Sequence, residues 1–169
     1  ANSQNTAARI KKFYRREARV IYPPVELPVK LGFSQSDAGR YFLAGGRLAR
    51  AKRIDLAIKA CSELNIPLKI FGRAFAGYEK ELRQMAGPLV QFLGEVTEEQ
   101  KAELLANCRA YLFPAEEEDF GIAPVEAMAA GKPVIALRQG GVRETVVENK
   151  TGIFFDRPSV DSLKEAIKR

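Results

Sequence analysis

A chain of 169 residues with 46% hydrophobic and 28% charged side chains is sized and composed for one soluble globular domain with a sizeable core. It contains no histidine, which excludes Ser-His-Asp triads, Cys-His dyads and histidine-ligated metals and leaves proton chemistry to carboxylates, lysine, tyrosine or a substrate. The formal net charge of +6 is concentrated in residues 9–19 (RIKKFYRREAR), whose six Lys/Arg and one Glu leave 21 basic against 20 acidic residues elsewhere.

Ser3 is placed to cap a helix over residues 4–16. Ile10, Phe13 and Tyr14 recur at i, i+3, i+4, so this helix is expected to pack on an apolar side and to solvate its basic face. Arg19–Tyr22 reads as a short strand. Pro23, Pro24 and Pro28 then force an extended loop that continues through the polar stretch 32–40. From Tyr41 a regular alternation begins. Strands are expected at Tyr41–Ala44, Leu68–Phe71, Val90–Leu93, Ala110–Phe113, Pro133–Leu137 and Gly152–Phe155. Helices are expected between and after them, over 53–65, 77–86, 98–108, 122–130, 142–148 and 159–168. Thr97 and Gln100 form a capping box, Gly131 suits a helix C-terminus, and Ile54, Ala57, Ile58, Cys61 and Leu64 follow the helical period. Cys61 and Cys108 fall inside helical patterns without metal-ligand spacing and read as small buried residues of a reducing compartment. No apolar run approaches the ~20 residues that span a bilayer, and no signal peptide is visible at the start.

Short, nearly wholly apolar strands alternating with helices imply βαβ units and a parallel sheet covered on both faces. The fold class is therefore α/β, a Rossmann-like doubly wound sheet, in which ligands bind outside the carboxyl ends of the strands. Glycines gather there: Gly45-Gly46, Gly72, Gly94, Gly121 and Gly140-Gly141. They are expected to bring backbone N–H groups close to an anionic ligand. Arg47 and Lys52 stand at the same edge, and the helix after Gly121 points its N-terminus at it. Neither a G-x-G-x-x-G fingerprint after the first strand nor a G-x-x-x-x-G-K-[ST] loop is present.

The sharpest signal is Glu118-Asp119-Phe120-Gly121-Ile122-Ala123-Pro124-Val125-Glu126. Glu126 is the only charged residue from Phe120 to Gly131, and a carboxylate in so apolar a stretch needs a partner. That partner is expected to be a ligand carrying hydroxyls or a diol. The acidic cluster Glu116–Asp119 reads as a solvated loop flank rather than a cation site.

With these motifs in hand, the chain resembles the C-terminal, donor-binding domain of retaining nucleotide-sugar glycosyltransferases of GT-B architecture, specifically glycosyltransferase family 4 (group 1). The resemblance rests on Gly46-Arg47-Leu48 with Lys52, on Val90–Gly94, and on Phe113-Pro114 before the acidic segment. It also rests on the E-x7-E pair Glu118…Glu126 with Ala127–Ala136, on Gly140-Gly141 with Glu144, and on Thr151-Gly152. It implies a catalytic group of Glu118, Arg47 and Lys52. Glu118 sits near the transferred sugar, and the two cations neutralise the departing diphosphate. It implies donor contacts from Glu126 to the ribose hydroxyls and from Phe120, Gly121 and Ile122 to sugar and diphosphate. Gly46 and Gly72 join the donor edge, and Gly94, Glu95 and Val96 border the base. No metal or cofactor is implied in this domain; the nucleotide sugar is substrate, GDP-mannose first and a UDP-hexose second, because the Glu118–Met128 phrase resembles the mannosyltransferase-like branch.

On this resemblance residues 1–40 are a leading helix, short strand and Pro-rich loop, residues 41–169 bind the donor, and the acceptor-binding domain lies outside the chain. The activity expected is hexosyl transfer to a glycan or lipid-linked acceptor, absent from this domain alone, in the cytoplasm and at the inner face of a membrane. One departure concerns the position two residues after the paired glycines, where the family often has proline and this chain has Arg143, which leaves that loop's shape open. Three rival readings stand beside this one. A sugar-nucleotide epimerase of similar shape would lean on histidines. A non-catalytic nucleic-acid-binding module would use the basic helix 9–19. An ordinary dinucleotide oxidoreductase would carry the G-x-G-x-x-G fingerprint that is missing here.

Overall fold

The computed structural model describes residues 1–26, 39–74 and 77–169. The elements are α1 (Gln4–Tyr14), β1 (Phe42–Gly45), α2 (Ile54–Leu64), β2 (Leu68–Phe71), α3 (Tyr78–Gln84), β3 (Val90–Gly94), α4 (Glu98–Asn107), β4 (Tyr111–Phe113), α5 (Ile122–Ala129), β5 (Val134–Leu137), β6 (Gly152–Phe155) and α6 (Val160–Lys168). The strands form one six-stranded sheet in the order β3-β2-β1-β4-β5-β6, every described pair parallel. Each strand lies within one residue of its sequence-based span at either end.

Alternation along the strands divides the core into two layers, because successive strand side chains point to opposite faces. Phe42 and Ala44 of β1, with Leu68, Ile70, Ile135 and Phe155, pack under α2, α3 and α6. Tyr41 and Leu43 face the other way, with Tyr111, Phe113, Val134 and Phe154, under α4 and α5. Cys61 and Cys108 are both buried and unbridged, one in each layer. Helix ends follow local chemistry. Thr97 and Gln100 close the capping box of α4, Ser159 caps α6, and Asn65 ends α2 in the left-handed region at φ 54.

Four expectations are corrected. The first helix ends at Tyr14 rather than 16, because Arg15 turns left-handed at φ 54. Arg19–Tyr22 is not a strand: it exchanges one pair of bonds with the chain's first residue, Ile21 N–H to Ala1 O at 2.9 Å and the terminal ammonium to Arg19 O at 2.8 Å. Pro23 and Pro24 follow without an N–H to extend a ladder. No helix covers 142–148; a 3-10 turn over Gly140–Glu144 gives way at the β-branched run Thr145-Val146-Val147, and Glu148 bridges to Gly152. Last, α1 buries none of its residues, and Phe13 and Tyr14 are 67% and 75% exposed. The expected apolar packing of this helix is absent among the described residues. Pro28 and the expected loop through 32–38 lie outside the described residues.

Candidate functional site

The loops leaving the carboxyl ends of β1 to β5 converge on one edge of the sheet. Three of its glycines do a different job from the one expected. Gly46 N–H donates to Phe71 O at 3.1 Å, Gly72 N–H to Gly94 O at 2.7 Å and Gly141 N–H to Glu118 O at 2.7 Å. A Cβ on Gly72 would stand 1.8 Å from Gly46 O, and one on Gly141 would stand 2.2 Å from Asp119 O. At these two positions the lack of a side chain lets neighbouring loops touch backbone to backbone. The edge is thus a continuous rim, with those N–H groups engaged inside it rather than offered outward.

The acidic stretch lies along this rim, and three of its four carboxylates, those of Glu116, Glu118 and Asp119, each meet a cation. Lys52 donates to Glu118, Arg53 to Glu116, and Arg9 of α1 to Asp119 at 3.0 Å. Lys101 of α4 donates to Glu126 at 3.0 Å and also meets Glu98 at 2.6 Å. Burial pulls the Lys101 ammonium down, but the carboxylates of Glu98 and Glu126 outweigh it and leave its pKa raised. Burial, and then the charge of Glu126, push the Tyr111 phenol up; its hydroxyl donates to Gly45 O at 2.9 Å.

Three adjoining hollows open between these groups. One of about 480 Å³ lies between Arg47 and Lys52 and the acidic loop 116–119. One of about 300 Å³ runs from Gly45, Gly46 and Lys52 to Glu118 and Phe120–Ala123. One of about 390 Å³ is walled by Gly46, Gly72, Glu95, Val96, Lys101 and Glu126. Arg47 lines all three, is exposed, and forms no ion pair among the described residues. α5 opens at Gly121, φ 86, without a side-chain cap, so the first N–H groups of that helix face the hollow bearing Arg47 and Lys52. The edge therefore combines a free guanidinium, a lysine held by one carboxylate and a second carboxylate held by a lysine.

Of the residues expected at the site, Arg47, Lys52, Glu118, Phe120, Gly121, Ile122 and Gly46 meet around the smallest of these hollows, and Glu126, Glu95, Val96, Gly46 and Gly72 around the one beside it. Gly94 lies at the end of β3 and reaches the rim by accepting from Gly72. Phe120 is buried with its ring 5.8 Å from that of Tyr22. Three participants were missed: Arg73, whose guanidinium stands 3.7 Å from Glu95, Arg9 on Asp119, and Lys101. The demand of Glu126 for a partner was the signal for Lys101. It was read as the demand for a ligand, and α4, which leads into the strand before α5, already carries the cation.

Residues 33–169 match the sequence profile of the family described as glycosyl transferases group 1. The chain belongs to that family. This group 1 chain is 34% identical to the alpha-1,3/1,6-mannosyltransferase ALG2 of Dictyostelium discoideum, over 84% of this chain and 38% of the relative. It is 29% identical to human ALG2, over 99% and 48%. Among solved structures, Anabaena HepE in complex with UDP and glucose superposes with a TM-score of 0.88 at 26% identity, over 99% of this chain and 51% of HepE. The group 1 chain thus spans about half the length, or less, of the proteins it matches. Its doubly wound sheet is the Rossmann-like fold that the alternation of strands and helices implied.

Proposed function

We propose that this chain is the donor-binding half of a retaining glycosyltransferase that moves a hexose from a nucleotide sugar, GDP-mannose first, to a glycan or lipid-linked acceptor. Residues 41–169 hold the donor, residues 1–40 lead into it, and a domain outside this chain binds the acceptor. One observation carries the reading. Glu118 with Lys52, Glu126 with Lys101, and the unpaired Arg47 meet at one sheet edge beside the uncapped start of α5.

The diphosphate lies across Arg47, Lys52 and the first N–H groups of α5. As the bond from the sugar to the diphosphate lengthens, negative charge grows on the leaving oxygen, and the two cations and the helix terminus stabilise it in place. Glu118 stands beside the transferred sugar and holds Lys52 ready at the rim. Glu126 accepts from the ribose hydroxyls, and Gly94, Glu95 and Val96 border the base. The ALG2 relatives support mannose as the sugar, and the HepE complexes support a nucleoside diphosphate on this fold. No described helix is long and apolar enough to cross a membrane. We place the whole enzyme in the cytoplasm, working at the inner face of a membrane.

NMR titration of the labelled chain with GDP, GDP-mannose, UDP-glucose and duplex DNA tests this. Shifts at Arg47, Lys52 and residues 118–126, largest with GDP-mannose, are expected. Arg47→Ala should weaken GDP binding roughly tenfold and leave guanosine binding unchanged, as for loss of one charge-assisted contact. Shifts confined to residues 9–19 with DNA would replace this function with nucleic-acid binding, and hexosyl transfer by this chain alone would refute the half-enzyme.

A further inference from the structure

The Glu126 carboxylate is a charge placed in an apolar helix. Its neighbours on α5 and beyond, Ala123, Ala127 and Ala130, pack into the core layer under α4 and α5 and offer it nothing. Its side chain is 25% exposed and that of Lys101 is 19% exposed. Lys101 comes from a different helix, α4, and is itself tethered at 2.6 Å by Glu98, a well-exposed residue of the first turn of α4. The chain of contacts therefore runs from the outside inward, Glu98 to Lys101 to Glu126.

We infer that Lys101 is a positioning residue for the donor: by holding one oxygen of Glu126 it aims the other at the ribose diol, so that α4 sets the preference of this site for ribonucleotides. This rests on the ribose role proposed above for Glu126. Lys101 donates to Oε1, and among the described residues Oε2 takes no hydrogen bond. A carboxylate accepts at both oxygens, so Oε2 is left for the O–H donors of a vicinal diol. Without the ammonium, the carboxylate of a half-buried, alanine-flanked glutamate loses its one ion-pair partner among the described residues and is free to rotate. Arg47, Arg73 and Glu95 line the same hollow, and Tyr111 lies behind it on β4. Arg73 meets Glu95 across this hollow.

The test compares GDP with 2′-deoxy-GDP, and UDP with 2′-deoxy-UDP, by calorimetry on the wild-type chain and on Lys101→Met, Lys101→Arg, Lys101→Gln and Glu126→Gln. The wild type should prefer the ribonucleotide about tenfold, as expected for one hydrogen bond to a charged group. Lys101→Met should narrow the preference to within about threefold, and Lys101→Arg should restore most of it. Lys101→Gln supplies the same answer if the methionine variant does not fold. Adding Lys101→Met to Glu126→Gln should remove nothing further from the preference, because both act through one carboxylate. A wild type without a ribonucleotide preference, or a Glu126→Gln variant that keeps it, would overturn the ribose role itself. A preference lost with Glu126→Gln but kept in Lys101→Met would overturn the positioning role and leave the ribose role standing.

Discussion

α1 and α2 are both 11 residues long, yet α2 buries six of them and α1 none. α2 lays Ile54, Ala57, Ile58 and Cys61 against the sheet, and its place is set by the hydrophobic effect acting on one face. α1 buries no residue fully, and the contacts that tie it down among the described residues are polar. Ser3 caps its first turn and donates to Asp119 O, Glu144 accepts from the N–H groups of Gln4 and Asn5 at 2.8 Å each, and Arg9 reaches Asp119. Glu144 thus places a carboxylate at the positive end of α1. Equal length and equally clear periodicity produce unequal attachment, because an apolar stripe stabilises a helix only where a complementary surface receives it. Both anchors of α1 are rim loops of the candidate site, so this helix reports on the site's loops rather than on the core.

The sharpest way to break the contrast is to cut α2. Ile58→Ala removes a fully buried side chain and should cost about 2–5 kcal/mol of global stability, read from the denaturant midpoint. The thiol of Cys61 tests the same face chemically. Burial pushes it from 9.0 up to about 12. Alkylation in the folded chain at pH 8 should be roughly a hundredfold or more slower than in the unfolded chain. Because the folded pKa is raised, this thiol's contribution to stability is complete below pH 9.0 and is lost as pH climbs from there toward about 12. Rapid labelling of the native chain would show that the α2 face opens locally.

Smaller effects are expected on α1. Glu144→Ala should leave the global midpoint nearly unchanged while speeding amide exchange in α1 by about five- to tenfold, the scale of one lost helix cap. Slower exchange, or a large fall in the midpoint, would mean that α1 is part of the cooperative core. The smallest change is expected from Phe13→Ser, within about 0.5 kcal/mol, since a ring 67% exposed has little burial to lose. A loss above 1 kcal/mol would show that this ring is covered in solution.

Six strands and the six described α-helices were legible because their cause is local: runs such as Phe42-Leu43-Ala44 or Val134–Leu137 suit a sheet buried on both sides. The convergence of Arg47, Lys52, Glu118 and Glu126 on one edge was legible for the same reason, since βαβ connectivity puts every loop after a strand on one side. The 142–148 helix was misread because its apolar spacing competes with three successive β-branched residues and a tie to Gly152. The packing of α1 was misread because periodicity says which face is apolar and not what lies opposite.

The sequence alone determined the fold class, the family and the rim on which the charges gather, because each depends on patterns repeated along the chain. Which charge meets which was decided only by the folded chain. Lys101 lies 25 residues from Glu126, Arg9 110 from Asp119 and Glu144 139 from Asn5. Ion pairing is a contact of a few ångströms between specific atoms, and nothing in spacing along the chain fixes such a distance until the sheet has brought the loops together.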